Sequence, residues 1–186
     1  AVPPRCCGTT GIGRRSDNMT GKGIRRRICW LFVNHLLPQG ACFEARRKLL
    51  NWAGYPVGSG TRIAGAMHVT TELSIGSDCW IGRNFTCHGN GSVTIGDRCD
   101  IAPDVTVVTG SHELGGADRR AGQGYNCSVT VGSGCWLGVR STLLGGAAVA
   151  DGCVVAACAL VKGATERNTM LGGVPARLLR RLPDEE

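Results

Sequence analysis

The chain has 186 residues, 29 of them Gly, with 42% apolar but only 5% aromatic residues. This length suits one domain with a real core, the aliphatic content excludes wholesale disorder, and the few rings exclude a core of stacked aromatics. The net charge of +7 is confined to the leading segment: residues 1–50 hold 10 Lys+Arg against 2 Asp+Glu and the rest is near neutral, which argues against a nucleic-acid-binding surface.

Residues 1–21 read as a flexible extension without the apolar h-region of a secretory signal. No apolar run approaches the ~20 residues that span a bilayer, so the expected compartment is the cytoplasm. Residues 22–56 form the expected N-terminal helical segment, with KGIRRRICWLFVNHLL (22–37) and ACFEARRKLLNWA (41–53) separated by Pro38-Gln39-Gly40. Their apolar faces are expected to cap the open end of the repeat region that begins near residue 57. Arg25, Arg26 and Arg27 with Trp30, Leu31 and Phe32 also suit peripheral contact of residues 22–37 with a membrane surface, here the inner membrane face.

From Ile63, every sixth residue is apolar: Val69, Ile75, Ile81, Cys87 and Val93. The series restarts at Ile95 with Ile101 and Val107, and again as Val131, Leu137, Leu143, Val149, Val155 and Val161. An α-helix advances about 100° per residue, so six steps leave it well out of phase. A triangular coil of about 18 residues, one strand and one corner per side, puts all of these residues inside. Gly, Asp, Asn and Ser beside them (IGSD, IGRN, IGDR, VGSG) supply the positive φ of tight corners. Residues 57–175 are therefore expected to be an all-β solenoid, a parallel β-helix of hexapeptide repeats.

Eleven Cys include no CxxC pair, and without a signal they do not read first as a disulfide framework; metal ligation or a reactive thiol is the minor alternative. Cys79, Cys99, Cys135 and Cys153 recur at like places (GSDCW, GDRCD, GSGCW, ADGCV) and are expected to stack as small buried groups. Residues 113–127 (ELGGADRRAGQGYNC) break the hexads and are expected to project as a loop, and 176–186 (containing RLLRRL) to form a short helix or tail. His112 stands at that break. An imidazole side chain is the one whose chemistry lets it accept and return a proton near neutral pH; position alone leaves a structural role equally open. His35, His68 and His88 have no comparable setting.

The stretch from Ile75 to Arg177 resembles the hexapeptide-repeat O-acetyltransferases of the galactoside, maltose and nodulation-sugar type, and the cell-surface polysaccharide acetyltransferases among them. The carriers are NFTCHGNGSVTIGDRCDIAPDVTVVTGSHE (84–113), RRAG (119–122), VGSGCWLGVRSTLLGGAAVADGCVVAA (131–157) and GGVPARLL (172–179). The resemblance implies a left-handed coil and a homotrimer with sites between subunits. It implies His112 as the general base for direct attack of an acceptor hydroxyl on acetyl-CoA, and Asn84 as a hydrogen-bonding partner of the reacting centre. It places the Val139 backbone N–H as an oxyanion donor and Trp136 as an aromatic wall. Ala157 falls beside the pantetheine arm, and Lys162 and Arg177 near the CoA phosphates, although Lys162-Gly163-Ala164 stands where the family has Thr-Lys-Asp. No metal is implied.

Glu113 and Arg120, with Arg119, are candidates for holding a sugar hydroxyl or an acidic glycan acceptor. Within transferases, serine or antibiotic O-acetylation and N-acetylation of an amino sugar remain alternatives. A γ-type carbonic anhydrase would need three convergent His, for which four scattered His are a poor start, and Ala117 stands where the second of a close pair would fall. A non-catalytic scaffold would have no need of Asn84, His112 and Trp136 together.

Overall fold

The hexads do close into a triangular prism. A computed structural model describes residues 21–184; the extension expected over 1–21 lies, apart from Gly21, outside the described residues. Helix α1 (Gly21–Leu31) continues as one wider π turn over Phe32–Leu36, closed by Leu37 N–H donating to the Phe32 carbonyl at 3.0 Å. After Pro38 the chain turns into α2 (Phe43–Trp52). The first coil holds β1 (Arg62–Ile63) and β2 (Met67–Val69). The second holds β3 (Glu72–Ile75), β4 (Trp80–Ile81) and β5 (Phe85–His88), and the third β6 (Ser92–Ile95), β7 (Asp100–Ile101) and β8 (Thr106–Val108). A projecting pair comes next, β9 (Gly110–Leu114) and β10 (Ala121–Asn126). The fourth coil is β11 (Val129–Val131), β12 (Trp136–Leu137) and β13 (Thr142–Leu144); the fifth is β14 (Ala148–Val149), β15 (Val154–Val155) and β16 (Leu160–Val161). Strands β17 (Thr169–Gly172) and β18 (Arg177–Arg181) end a solenoid of about six turns.

Three sheets form the faces. The first runs β3-β6-β11-β14, the second β1-β4-β7-β12-β15-β17-β18 and the third β2-β5-β8-β13-β16. Coil-to-coil pairing is parallel and in register, as in Ile63↔Ile81↔Ile101↔Leu137↔Val155 on the second sheet. Every residue of the six-residue series is buried. The two-residue jump from Val93 to Ile95 has a local cause: β3 and β6 each bury two residues, Leu73 with Ile75 and Val93 with Ile95, after a corner lengthened by Gly89-Asn90-Gly91.

The three corners differ. The corner from first to second sheet turns through Asp78, Arg98, Gly134, Gly152 and Asn168, all at positive φ. The corner from second to third turns through Asn84, Asp104, Arg140 and Cys158, at φ 59°, 61°, 58° and 59°. Ordinary side chains resist this conformation, so its recurrence records how tightly the coil must fold there. The coils also touch closely: a Cβ added at Gly138 would lie 2.6 Å from the Ala157 nitrogen. The corner from third to first sheet varies in length, and β9–β10 leaves from it.

Two segments differ from expectation. Residues 113–127 are no free loop: β9 and β10 pair antiparallel from Gly110↔Asn126 to Leu114↔Ala121, with an irregularity between Ala121 and Gly124. Backbone pairing needs no apolar alternation, which is why sequence pattern missed it. The RLLRRL segment is strand β18, folded back antiparallel on β17 rather than helix or tail; it pairs the edge that the last full coil would leave open.

At the other end Cys29, Val33, Leu50, Ala53 and Tyr55 join the same core as Ile63 and Met67, so the helices do cap the prism. Arg46 is fully buried there, its guanidinium donating to the Val33 carbonyl and to those of Leu37 (2.8 Å) and Pro38 (3.0 Å). These carbonyls replace the water that a buried cation loses. Cys79, Cys99, Cys135 and Cys153 are buried in consecutive coils and contact carbonyls above them, such as Cys99 Sγ to Gly132 O at 3.0 Å.

Candidate active site

His112 lies on β9, within the pairing, opposite Gly124. Its Nδ1 is 3.0 Å from the Gly122 carbonyl oxygen. A carbonyl only accepts, so in the neutral ring Nδ1 carries the hydrogen and Nε2 keeps the lone pair. The side chain is exposed, so Nε2 is accessible to a substrate. The pair β9–β10 is itself held to the prism: Asn90 N–H donates to Asn126 Oδ1 (3.1 Å), Gly91 N–H to Thr109 Oγ1 (3.1 Å) and Thr109 N–H to His88 O (2.8 Å). The His112 imidazole thus sits on a docked arm rather than on a free loop.

Asn84 is exposed at the corner between second and third sheets, where it opens β5. Its Nδ2 donates to Asp104 Oδ1 at 2.9 Å, and the other carboxylate oxygen lies 3.9 Å from Arg140 Nε. Val139 and Ala157, both exposed, occupy the same corner two and three coils on, linked by Cys158 N–H donating to Val139 O at 2.9 Å. Trp136 stands two residues before Gly138, on the outer face of the second sheet, in the row Trp80–Asp100–Trp136–Val154. An open groove of about 360 Å³ there is lined by Trp80, Asp100, Ile101, Ala102 and Trp136.

The fold therefore gathers Asn84, Val139, Ala157 and Trp136 around one edge of the prism. It does not bring His112 to them. The hairpin leaves from the opposite edge of the third sheet, and β5 alone, four residues at ~3.3 Å each, puts roughly 13 Å between the edges. Lys162 also lies on His112's corner, just after β16, exposed and apart from Val139 and Ala157. Arg177 is exposed on β18 and donates to the neighbouring Ala176 carbonyl (3.1 Å). Glu113 is exposed beside His112; Arg120 sits in the β9–β10 turn, Nη1 3.4 Å from Gly115 O.

Two residues of this region carried no signal strong enough to be singled out from sequence. Asp104, in IAPDV, reads as a turn residue until the coils are stacked and it falls above Asn84. Trp80, in GSDCW, repeats the setting of Trp136 in GSGCW two coils earlier, and only the shared row shows that both flank Asp100. Among the described residues no three His, Cys, Asp or Glu side chains cluster so as to hold a metal ion. No helix among them is long and apolar enough to cross a membrane.

Comparison with known proteins agrees with the fold. A family profile described as the hexapeptide repeat of succinyl-transferase matches residues 72–107 and 128–161. The galactoside O-acetyltransferase of Escherichia coli is 28% identical over 176 residues, covering 91% of this chain and 84% of that protein. The putative colanic acid biosynthesis acetyltransferase WcaF of the same organism is 27% identical over 174 residues, covering 89% and 92%. The crystal structure of a hexapeptide-repeat acetyltransferase from Vibrio cholerae superposes with a TM-score of 0.75 at 26% identity, over 88% of this chain and 91% of that one. Repeat, coil and relatives converge: this chain is built of hexapeptide repeats, is similar over most of its length to acetyltransferases of that repeat type, and is an acyltransferase.

Proposed function

We propose that the protein transfers an acetyl group from acetyl-CoA to a hydroxyl of a sugar or cell-surface glycan precursor, with His112 as general base. The observation that carries this reading is the His112 imidazole, fixed through Nδ1 by a backbone carbonyl and presenting Nε2 outward. Nε2 takes the hydroxyl proton as the acceptor oxygen forms its bond to the thioester carbonyl carbon. The C–S bond then breaks, and the imidazolium returns its proton to the departing CoA sulfur. Asn84 supports the reacting centre, the Val139 N–H receives the developing oxyanion, and the small Ala157 leaves room for the pantetheine arm. Trp136 and the groove beside it take the acceptor or the arm, Arg177 and Lys162 meet CoA phosphates, and Glu113 and Arg120 line the acceptor entrance.

The separation of Asn84 from His112 across the third sheet supports a site shared between copies, in which one chain supplies the corner and its neighbour the hairpin. A homotrimer of parallel prisms makes three such sites. The sugar acceptor is supported by the galactoside and colanic acid enzymes among the relatives. The proposed compartment is the cytoplasm.

The test is release of free CoA from acetyl-CoA with a panel of sugars and glycans, with masses of the products. Acceptor-dependent thiol release and one added acetyl per hydroxyl are expected; an amine acceptor preferred over every hydroxyl acceptor, or no acceptor dependence, would contradict the reading.

The basic helices allow a narrower membrane reading than sequence suggested. Trp30 packs on Tyr55 (5.3 Å between rings) and Arg26 pairs with Glu72 (2.7 Å), so both face the prism. The outer stripe is Ile24, Ile28 and Leu31, exposed at one helical spacing and accompanied by Arg25. We assign it to peripheral contact with an anionic bilayer. Flotation with anionic but not neutral vesicles is expected; absence from both fractions would end the assignment.

A further inference from the structure

We propose that Asp104 is a positioning residue for the acceptor: its carboxylate holds the Asn84 amide in one orientation, so that one N–H and the carbonyl are left to read the substrate. The proposal rests on the reading of Asn84 as a substrate contact.

The geometry follows from the coil. Asn84, Asp104 and Arg140 occupy the same point of three successive turns, each in the left-handed conformation. Side chains leaving equivalent backbone positions in neighbouring coils stand about 4.8 Å apart and point alike, so each can touch only the one above and below. Asn84 Nδ2 donates to Asp104 Oδ1 at 2.9 Å. A carboxylate at neutral pH accepts and never donates, so the end of the amide facing it has to be the nitrogen. An isolated Asn at an exposed corner would flip freely between its two ends. Here Arg140 Nε lies 3.9 Å from the second carboxylate oxygen, a weak ion pair on the far side of Asp104.

This has a chemical consequence. A hydroxyl that gives its single proton to His112 cannot also donate to Asn84; its oxygen can only receive. With one Nδ2 hydrogen held by Asp104, the other is free to donate to that oxygen as negative charge develops on it, and Oδ1 is free to accept from a second hydroxyl. A flipped amide would turn Oδ1 toward Asp104 and the remaining N–H pair outward, leaving no acceptor for the second hydroxyl. The acceptor favoured by the fixed amide carries a second hydroxyl close to the one acetylated, which sugars supply and simple alcohols do not.

The first test is kinetic, with acetyl-CoA and methyl β-galactoside, or the best acceptor of the panel. Asp104→Gly removes the carboxylate while tolerating the positive φ; Asp104→Asn restores an oxygen that can accept. Asp104→Gly is expected to lower kcat/KM for the acceptor roughly 10–100-fold, the range expected for losing a hydrogen bond to a charged group. The KM for acetyl-CoA and the Tm should stay near wild type, and Asp104→Asn should recover most of the loss. In an Asn84→Gly background Asp104→Gly should add no further loss, since the two act as one unit. Wild-type kinetics in Asp104→Gly, or equal loss for acceptor and acetyl-CoA with a falling Tm, would overturn the proposal. If Asn84→Gly itself leaves turnover unchanged, the assignment of Asn84 falls first and takes this proposal with it.

The second test needs no turnover. The Asn84 side-chain amide in 15N NMR should show one downfield hydrogen that is lost in Asp104→Gly. An amide shift indifferent to Asp104 would overturn the proposal by itself.

Discussion

The two edges of the third sheet are built by opposite rules. At the edge shared with the second sheet every coil takes the same step, Ile81 to Phe85, Ile101 to Val105, Leu137 to Ser141 and Val155 to Ala159, with one left-handed residue inside it. At the edge shared with the first sheet the connection is Thr70-Thr71, then Gly89-Asn90-Gly91, then the whole β9–β10 arm, then Gly145–Ala147. Regularity stacks like residues and gives a fixed rail; irregularity lets one coil send out a side chain the rail cannot hold. The proposed site draws on both, and in one chain they face apart.

The largest expected effect breaks the irregular edge. His112→Ala should lower turnover roughly 10²–10⁴-fold without moving Tm, because the side chain is exposed and supports no packing. A fall in Tm of the same variant would move His112 to a structural role. Next comes the interior that both edges share. Leu137→Ala, at a position with no exposure, should cost about 2–5 kcal/mol in urea unfolding, as deletion of a close-packed aliphatic group does.

A smaller effect sharpens the regular edge. Arg140 is largely exposed but left-handed, at φ 58°. Arg140→Val should cost about 1–2 kcal/mol and Arg140→Gly only a fraction of that, a contrast that lost contacts cannot produce. An equal cost for both would remove the strain argument.

The smallest effects concern the thiols. Burial pushes the Cys87 thiol from its ordinary 9.0 up to about 12. Hydrogen bonding to Cys99, then burial, raises Cys79 as well. Both shifts favour the protonated thiol in the folded state, so their contribution is intact below pH 9 and is lost as pH rises toward 12. Alkylation mapped by mass spectrometry at pH 8 should therefore mark the exposed Cys42 and Cys158 and leave Cys79, Cys87 and Cys99 unmarked until the protein unfolds.

The prism was legible because every side of every coil repeats one simple fact, an apolar side chain at each sixth place, and chance rarely sustains that from Ile63 to Val161. The corners were legible wherever Gly marks them, less so where Arg140 or Cys158 turns left-handed against its own preference. The arm was hidden because GGADRRAGQG has no alternation; its strands are held by backbone bonds and by docking through Asn126, which only the fold supplies. RLLRRL has helical spacing, and the unpaired edge of β17 overrides it. His112 and Asn84 stand out in the sequence as candidates, while the sheet's width between them became visible only when the coil was closed.

Subunit complementation tests that separation most directly. His112→Ala and Asn84→Gly chains, each strongly impaired alone, are co-expressed and purified as mixed assemblies. A site that takes its corner from one chain and its hairpin from the neighbour is intact in about one quarter of random interfaces, so about that share of wild-type activity should return. Mixed assemblies as inactive as either parent would contradict the shared site, and with it the account of how the two edges work together.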